Sequence, residues 1–397
     1  MTSSSIEQKL QILDDIEQQT QLKPKLDQHK DLDIVNESQQ RLLNKTNETN
    51  IPQVSQVSYR FSMIGFIWII VSVVTTAAIL PFSVALPLKS TLLKLSWRNM
   101  TMIPFLFVMC IYEIKTKYKT FKLTTLITQK QMILDQLYLG SSFLLIQIGY
   151  IISGQYTIMS HASILSNLGG VFIVVFRVLR GKSVHKLEYV GLVIAFVGTI
   201  VSVMDKEVQK VDSANQRVLL GDICGILTSI AASSYYQKNA EFVQTVPSSI
   251  AVCITIIISE TLLIVYGLIF DTFTFDFSKQ TGVFGFFDPQ YVLYTIFIVG
   301  MITGSVSIYS AAVVLKYYPP VVLLIAYLFE PLISQLISCM MNIDRAPGLL
   351  TYLGGFFTLI GILAVTYGGN QLEKLQQNKN KNEKEQELIA NIPKEQL

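Results

Sequence analysis

Long apolar runs separated by short polar stretches fill the middle of the chain. Between Ser62 and Gly368, ten runs are apolar over roughly 20 residues, the length of helix that crosses the hydrocarbon core of a bilayer. They lie at residues 62–85, 95–113, 134–153, 158–179, 187–204, 218–237, 249–270, 291–315, 319–341 and 349–367. Backbone groups in lipid must be satisfied within the chain, as they are in a helix. The pattern therefore predicts an all-α, multi-pass membrane protein with ten transmembrane helices.

The overall composition agrees with a membrane protein. Of the 397 residues, 51% are hydrophobic and only 15% are charged, and the mean hydropathy is +0.45, which is too apolar for an ordinary soluble enzyme. We expect a cytosolic polar tail at residues 1–58 and a disordered cytosolic tail at 371–397. Two groups of five runs, 59–204 and 218–370, would be joined by a non-cytosolic linker at 205–217.

Basic residues are concentrated in loops that would lie on one side of the membrane. They follow the second run and end the fourth: Lys115, Lys117, Lys119, Lys122 and Lys130, then Arg177, Arg180, Lys182 and Lys186. Basic loops tend to stay in the cytosol, and an even number of crossings then places both termini there. Sequons at Asn44 and Asn47 require a lumenal tail to be used, and we interpret them as chance matches. The sequence leaves both plasma membrane and endomembrane open.

The same glycine pattern occurs at the end of each group of five runs. Both stretches read Y-x-G-x6-G, and they begin at Tyr189 and Tyr352, 163 residues apart. Small residues seven positions apart lie on one helix face and allow close helix packing, which would explain either motif alone. Their recurrence predicts a duplication. Five crossings are an odd number, so the repeats would be inverted, a common plan of secondary transporters with the substrate site at the midplane.

The fourth run of each group contains a dipeptide that weakens a helix. A shift of 161 residues places Gly169 and Gly170 on Glu330 and Pro331. Each glycine costs a helix about 1 kcal/mol, and proline removes a backbone hydrogen bond. Weakened helices at corresponding positions of two halves indicate a transporter's binding site. The sequence therefore predicts paired helix breaks that border a polar cavity.

These features together resemble a known family. The five-plus-five layout, the stretch VLKYYPPVVLLIAYLFEPLISQLI and the glycine-bearing fifth and tenth runs are similar to the drug/metabolite transporter superfamily, in its EamA-like and nucleotide-sugar solute-carrier branches. The resemblance covers residues 60–370. The family's L-x-x-L-E-P segment looks like the stretch that ends at Pro331, whereas Gly181-Lys182 and Ile343-Asp344 stand where the family often has Gly-Glu. The resemblance implies a transporter and does not specify a substrate.

Two glutamates stand near the middle of apolar runs. An ionisable group at this depth costs about 2.5–3.5 kcal/mol and normally faces protein or a water-filled cavity. Glu330 is expected either to bind substrate or a coupling proton, or to be a structural acceptor beside the proline kink. Glu260 has no counterpart in the family motifs, and it is either a proton-coupling group or a structural one.

Other polar side chains complete the predicted substrate site. Lys94 and Arg98 lie one helical turn apart near the non-cytosolic mouth, where an arginine is common in the family. They would either attract anionic substrates or extend to lipid headgroups beside Trp97. The remaining predicted lining residues are Asn167, His161, Gln147, Tyr235 and Tyr309, each of which could instead serve helix packing.

The sequence contains no pattern typical of an enzyme. Phosphate-binding loops, nucleophile elbows and metal-ligand spacings are missing, and the four cysteines all fall in apolar runs. We therefore expect no enzymatic activity, no cofactor and no metal, with a small-molecule substrate and the lipid bilayer as partners and no nucleic acid. A homodimer is left open. The leading interpretation is a secondary transporter or exchanger of a small polar metabolite; the alternative is a non-transporting membrane scaffold or accessory subunit.

Overall fold

The computed structural model describes residues 62–88, 90–118, 124–156, 165–181, 184–204, 218–342 and 348–390. The predicted site residue His161 and the sequons at Asn44 and Asn47 lie outside these ranges. The helices are α1 Met63–Ala77, α2 Ile79–Val84, α3 Thr91–Thr116, α4 Thr124–Thr128, α5 Lys130–Tyr156, α6 Gly169–Leu179, α7 Lys186–Val203, α8 Val218–Thr245, α9 Ser248–Phe270, α10 Ser307–Tyr317, α11 Pro320–Ala326, α12 Glu330–Met340 and α13 Leu349–Ala390. A π-helix, Tyr294–Val306, leads directly into α10.

Among the described residues, six helical segments are long and apolar enough to cross a membrane. They are Met63–Ser83, Lys130–Ser153, Ser248–Phe270, Tyr294–Tyr317, Pro320–Met340 and Leu349–Gly369. In the described ranges the only β-structure is an isolated bridge between Thr274 and Gly282. The chain is therefore an all-α integral membrane protein, as the hydropathy pattern predicts.

Local sequence explains where several helices begin. Ser62 and Ser90 cap α1 and α3, and their hydroxyls accept hydrogen bonds from the backbone N–H groups of Gly65 (3.4 Å) and Leu93 (3.2 Å). Side-chain oxygens at this position satisfy donors that the first helical turn leaves free. Proline begins α11 at Pro320, where its missing N–H costs nothing and its fixed φ suits the first turn.

Two short helices at corresponding positions have the same length and the same flanking geometry. Helix α6 runs over Gly169–Leu179 and α12 over Glu330–Met340, 11 residues each. A turn at Asn167 and Leu168 precedes α6, and a 3₁₀ turn over Tyr327–Phe329 precedes α12. The second residue beyond each helix is left-handed, with φ of 67° at Gly181 and 55° at Asn342. Such residues commonly end helices, and they are usually glycine or asparagine.

The two Y-x-G-x6-G motifs pack against each other, on α7 and α13. A Cβ added at Gly191 would lie 2.7 Å from the carbonyl oxygen of Gly361, and one at Gly198 would lie 2.7 Å from that of Gly354. The first glycine of each motif thus meets the second glycine of the other. Only glycine permits this backbone approach, so the small-residue faces predicted from the sequence are used in a close helix contact.

The connection after α9, rich in phenylalanine, covers the beginning of α3. Trp97 is fully buried beneath it, and the indole Nε1 donates to the carbonyl oxygen of Gly282 at 2.9 Å. Phe273, Val283 and Phe286 pack around the ring. Trp97 is therefore a core residue and not the interfacial anchor that its neighbourhood suggested.

The same connection holds an exposed ion pair. Lys279 Nζ lies 3.0 Å from Asp288 Oδ2, and its hydrogen bond lowers the pKa of the Asp288 carboxyl group. Lys279 is exposed and Asp288 is partly exposed, so solvent screens the pair and we expect it to add little to stability.

The last helix extends further than the sequence pattern indicates. Helix α13 spans 42 residues and continues to Ala390, through the stretch where composition predicts a disordered tail. Lysine, glutamate, glutamine and leucine dominate this stretch, and they are strong helix formers. Helix propensity therefore accounts for the difference between the structure and the prediction for residues 371–390.

Candidate functional site

A cavity of about 370 Å³ lies among helices from both groups of five apolar runs. Its walls come from α1, α2, α3 and α5, from the turn before α6, and from α8, α10, α11 and the start of α12. Most of the wall is apolar. The polar side chains that face it are Thr76, Ser83, Thr91, Lys94, Arg98, Gln147, Tyr150, Ser166, Asn167, Thr228, Tyr235, Tyr236, Ser307, Tyr327 and Glu330.

Three lining residues carry charge, and they are unequal in sign. Lys94 and Arg98 project from α3, whereas Glu330 is the first residue of α12. Within the described ranges, no carboxylate lies within ion-pair distance of the Lys94 ammonium group or the Arg98 guanidinium group. Among the described lining residues, two cations thus face one carboxylate, and none of these three groups forms an ion pair with another.

Arg98 is buried rather than extended toward lipid headgroups. Its side chain is 5% exposed, and Nη2 donates to the carbonyl oxygen of Thr303 in the π-helix at 3.1 Å. The Nε atom has no hydrogen-bond partner among the described residues. Burying a guanidinium group with an unused donor is costly, and an arginine fork is well suited to carboxylate or phosphate groups.

Glu330 is held by neutral groups. The Tyr150 hydroxyl donates to Oε1 at 3.4 Å, and the Asn167 amide lies beside the same carboxylate. The Asn167 Nδ2 atom forms no hydrogen bond within the described part of the chain, although it is buried. One donor at long range and one unused amide leave this end of the cavity with spare hydrogen-bonding capacity.

Aromatic residues border the cavity deeper along α8. Tyr235 and Tyr236 have ring centroids 5.0 Å apart, and Tyr236 lies 6.0 Å from Tyr327. The Tyr327 hydroxyl is fixed by Ser72 Oγ at 2.8 Å. At the other end the lining reaches Thr91, the first residue of α3. The cavity thus runs from a helix end to a buried group of tyrosines.

The structure brings together five of the predicted site residues. Glu330, Asn167, Arg98, Gln147 and Tyr235 all line the cavity. The glycines of the predicted break stand behind it, because a Cβ at Gly169 would lie 3.2 Å from Leu324 Cδ2 and one at Gly170 would lie 2.8 Å from Ile325 Cγ1. Pro331 follows Glu330 in the first turn of α12.

Two other predicted residues lie off the cavity. Tyr309 packs edge-on against Trp68, with ring centroids 5.8 Å apart, because its helix presents Ser307, Ile308 and Ala311 to the cavity instead. Glu260 is 3% exposed and faces α3, where Ser96 Oγ donates to its Oε1 at 2.5 Å. Neither of these two residues is among the described residues that line this cavity.

Sequence reasoning did not select several lining residues that helical spacing could have suggested. Tyr150 lies one turn after Gln147, and Tyr327 lies one turn before Glu330. Residues three apart share a helix face. Ser166, whose buried hydroxyl has no partner in the described ranges, immediately precedes Asn167.

Comparison with known proteins provides evidence on the fold alone. No protein-family model matches the sequence, and no curated protein matches it. A solved structure described only as "Crystal structure of protein" is similar, with a TM-score of 0.57 and 14% sequence identity. The match covers 77% of this chain and 97% of that chain. Nearly the whole of that protein therefore shares the helical arrangement described here.

Proposed function

We propose that this protein is a secondary transporter or exchanger of a small polar metabolite, built from two inverted five-helix repeats like those of the drug/metabolite transporter superfamily. The observation that carries the proposal is the cavity between the two groups of helices, with Lys94 and Arg98 on one wall and Glu330 on another. A packed membrane protein without a ligand has no need to bear the cost of such groups.

Matching geometry in the two halves supports the inverted repeat. Helices α6 and α12 begin and end at positions 161 residues apart, and each is followed by a left-handed residue. The glycine contacts between α7 and α13 are reciprocal, as a two-fold axis in the membrane plane requires. Helical segments also occur within all ten predicted apolar runs. Alternating access would then arise from one half rocking against the other around the cavity.

The charges of the cavity favour a substrate with an anionic group. A carboxylate or phosphate placed at Arg98 would use the free Nε donor and balance the two cations. Hydroxyl or amine groups of the same molecule could use Glu330, Tyr150 and Asn167, which also line the cavity. A cavity of about 370 Å³ suits a small metabolite and not a polymer.

Counterflow in proteoliposomes tests this function. Vesicles containing the purified protein are loaded with unlabelled carboxylates, phosphate esters or nucleotide sugars, and uptake of the labelled compound is followed. We expect exchange with at least one anionic class, and Arg98→Gln should raise its KM about 30-fold, equivalent to about 2 kcal/mol for a hydrogen bond to a charged group. Lys316→Gln is the matched loss-of-charge control, because the Lys316 ammonium group donates to the Tyr118 hydroxyl and is not among the described lining residues.

A scaffold gives a different result. If no compound in the panel is exchanged and none raises the thermal stability of the protein, the transporter proposal is contradicted and a non-transporting role is favoured. Orientation is tested separately by glycosylation in microsomes. Modification of Asn44 or Asn47 would contradict the proposed cytosolic position of both termini.

A further inference from the structure

We propose that the Glu260 carboxyl group binds and releases a coupling proton at a site next to the substrate cavity and separate from it, a role that rests on the transport function proposed above. Glu260 lies near the middle of α9, a helix that is long and apolar enough to span the membrane. The reaction is reversible addition of one proton to a carboxylate oxygen, with no other bond formed or broken.

The two oxygens of Glu260 differ in their surroundings. Oε1 accepts the hydroxyl proton of Ser96 at 2.5 Å, whereas Oε2 is buried and has no partner among the described residues. A buried carboxylate with one neutral donor and one free oxygen is incompletely satisfied. A proton on Oε2 would cancel the charge and needs only the lone pair that the structure leaves free.

A hydrogen-bonded group of side chains connects Glu260 with the cavity wall. Asn99 and Gln147 exchange two hydrogen bonds, with N–O distances of 3.2 and 3.0 Å, and Ser259 Oγ donates to Gln147 Oε1 at 3.0 Å. Asn99 also lies beside the Glu260 carboxylate. Gln147 lines the cavity. A substrate that displaces Gln147 would therefore disturb the partners of Glu260, and protonation of Glu260 would disturb Gln147.

The pattern of occupied acceptors favours a proton over a metal cation. A sodium or magnesium ion needs several oxygen ligands, and magnesium requires near-octahedral geometry. Gln147 Oε1 already accepts two hydrogen bonds, and Asn99 Oδ1 accepts one. In the described part of the chain, no group of three or more His, Cys, Asp or Glu residues could hold a metal ion.

Charged groups on the neighbouring helices are directed elsewhere. On α3, Lys94 and Arg98 face the cavity, and Glu113 binds Ser249 at the beginning of α9. On α5, Asp135 pairs with Lys238 of α8, and on α10, Lys316 donates to Tyr118. Tyr309 of α10 packs on Trp68. Glu260 is thus surrounded by the neutral groups Ser96, Asn99 and Ser259.

Proton-driven uptake provides the test. Proteoliposomes that show counterflow are given a gradient of one pH unit of either sign, which can sustain about tenfold accumulation when one proton moves per substrate. We expect the wild-type protein to accumulate substrate in response to the pH gradient. Glu260→Gln retains the shape of the protonated acid, and it should lose this accumulation. Its counterflow should continue and should no longer depend on pH. Glu113→Gln, a second buried glutamate outside the cavity, is the matched control and should keep gradient-driven uptake.

A spectroscopic readout separates failure of this site from failure of the transport function. Infrared difference spectra between high and low pH should show the C=O stretch of a protonated carboxylic acid, and that band should disappear in Glu260→Gln. Ser96→Ala, which removes the donor to Oε1, should shift the pH midpoint of the band, and this variant remains informative if Glu260→Gln fails to fold.

Three outcomes overturn the proposal. The first is substrate counterflow in wild type with uptake indifferent to the pH gradient, which refutes the proton site and leaves transport intact. The second is accumulation driven by sodium alone, which assigns a metal cation instead. The third is a band that persists in Glu260→Gln, which assigns the titrating acid elsewhere. If no substrate moves at all, the transport function fails, and the infrared band still decides whether Glu260 takes up a proton.

Discussion

The four glutamates that are buried in the described part of the chain fall into two pairs. Glu113 accepts two hydrogen bonds from Ser249, from the backbone N–H at 3.0 Å and the hydroxyl at 2.5 Å, and Glu188 forms an ion pair with Arg177. Glu260 and Glu330 are each held by a single neutral hydroxyl, from Ser96 and Tyr150. The first pair has the partners expected of structural charges. The second pair has spare capacity, and it adjoins or lines the cavity.

The difference between the two pairs is tested by replacing each glutamate with glutamine, which keeps the shape of the side chain and removes its charge. Stability of the purified protein in detergent reports the structural contribution, and exchange in proteoliposomes reports the functional one. We expect large losses of stability in the first pair and changes of transport in the second.

The largest loss of stability is expected for Glu188→Gln. Glu188 is fully buried and Arg177 is partly exposed, so the substitution removes the ion pair and leaves the guanidinium group beside a neutral amide. We expect a loss of about 2 kcal/mol, below the upper range for broken buried pairs because solvent screens Arg177. Denaturant titration measures it. The double variant Glu188→Leu with Arg177→Leu should recover part of the loss, and no recovery would contradict the ion-pair explanation.

A smaller loss is expected for Glu113→Gln. The amide oxygen can still accept from Ser249, but it loses the charge that strengthens both hydrogen bonds and that favours the N-terminal end of α9. We expect about 1 kcal/mol, with counterflow unchanged. A selective loss of transport at normal stability would place Glu113 in the functional group of glutamates.

The smallest change of stability is expected for Glu330→Gln. Its one hydrogen bond is long, and an amide oxygen can accept it equally well, so the free energy of unfolding should change by less than about 0.5 kcal/mol. Substrate affinity should change instead, while the pH dependence assigned to Glu260 stays. A loss of stability with unchanged substrate affinity in the surviving protein would make Glu330 structural.

The sequence predicts the membrane class, the glycine contact and five lining residues, because each leaves a local signal. The length of an apolar run, the spacing of small residues and the charges within apolar runs can all be read from the sequence. The direction in which a side chain points cannot be read from it. Tyr309 turns to Trp68, and Glu260 turns to Ser96, because the rotation of each helix depends on neighbours distant in sequence.

The burial of Trp97 shows a second limit of sequence reasoning. Its neighbours Lys94 and Arg98 are typical of a membrane interface, and the aromatic ring agrees with that interpretation. A connection nearly 200 residues later covers the ring, through a hydrogen bond to Gly282. The Lys94 and Arg98 side chains are then left to face the cavity. Contacts of such long range have no signature in a single sequence.

The contact between α7 and α13 has a mechanical consequence. Its glycines bring the two backbones so close that no side chain fits between them, since a Cβ at Gly198 would lie 2.6 Å from the amide nitrogen of Thr358. Among the described residues, neither helix lines the cavity. In the alternating access proposed above, this pair would serve as the pivot, because its two helices stay in contact while the cavity walls on the other helices change their separation.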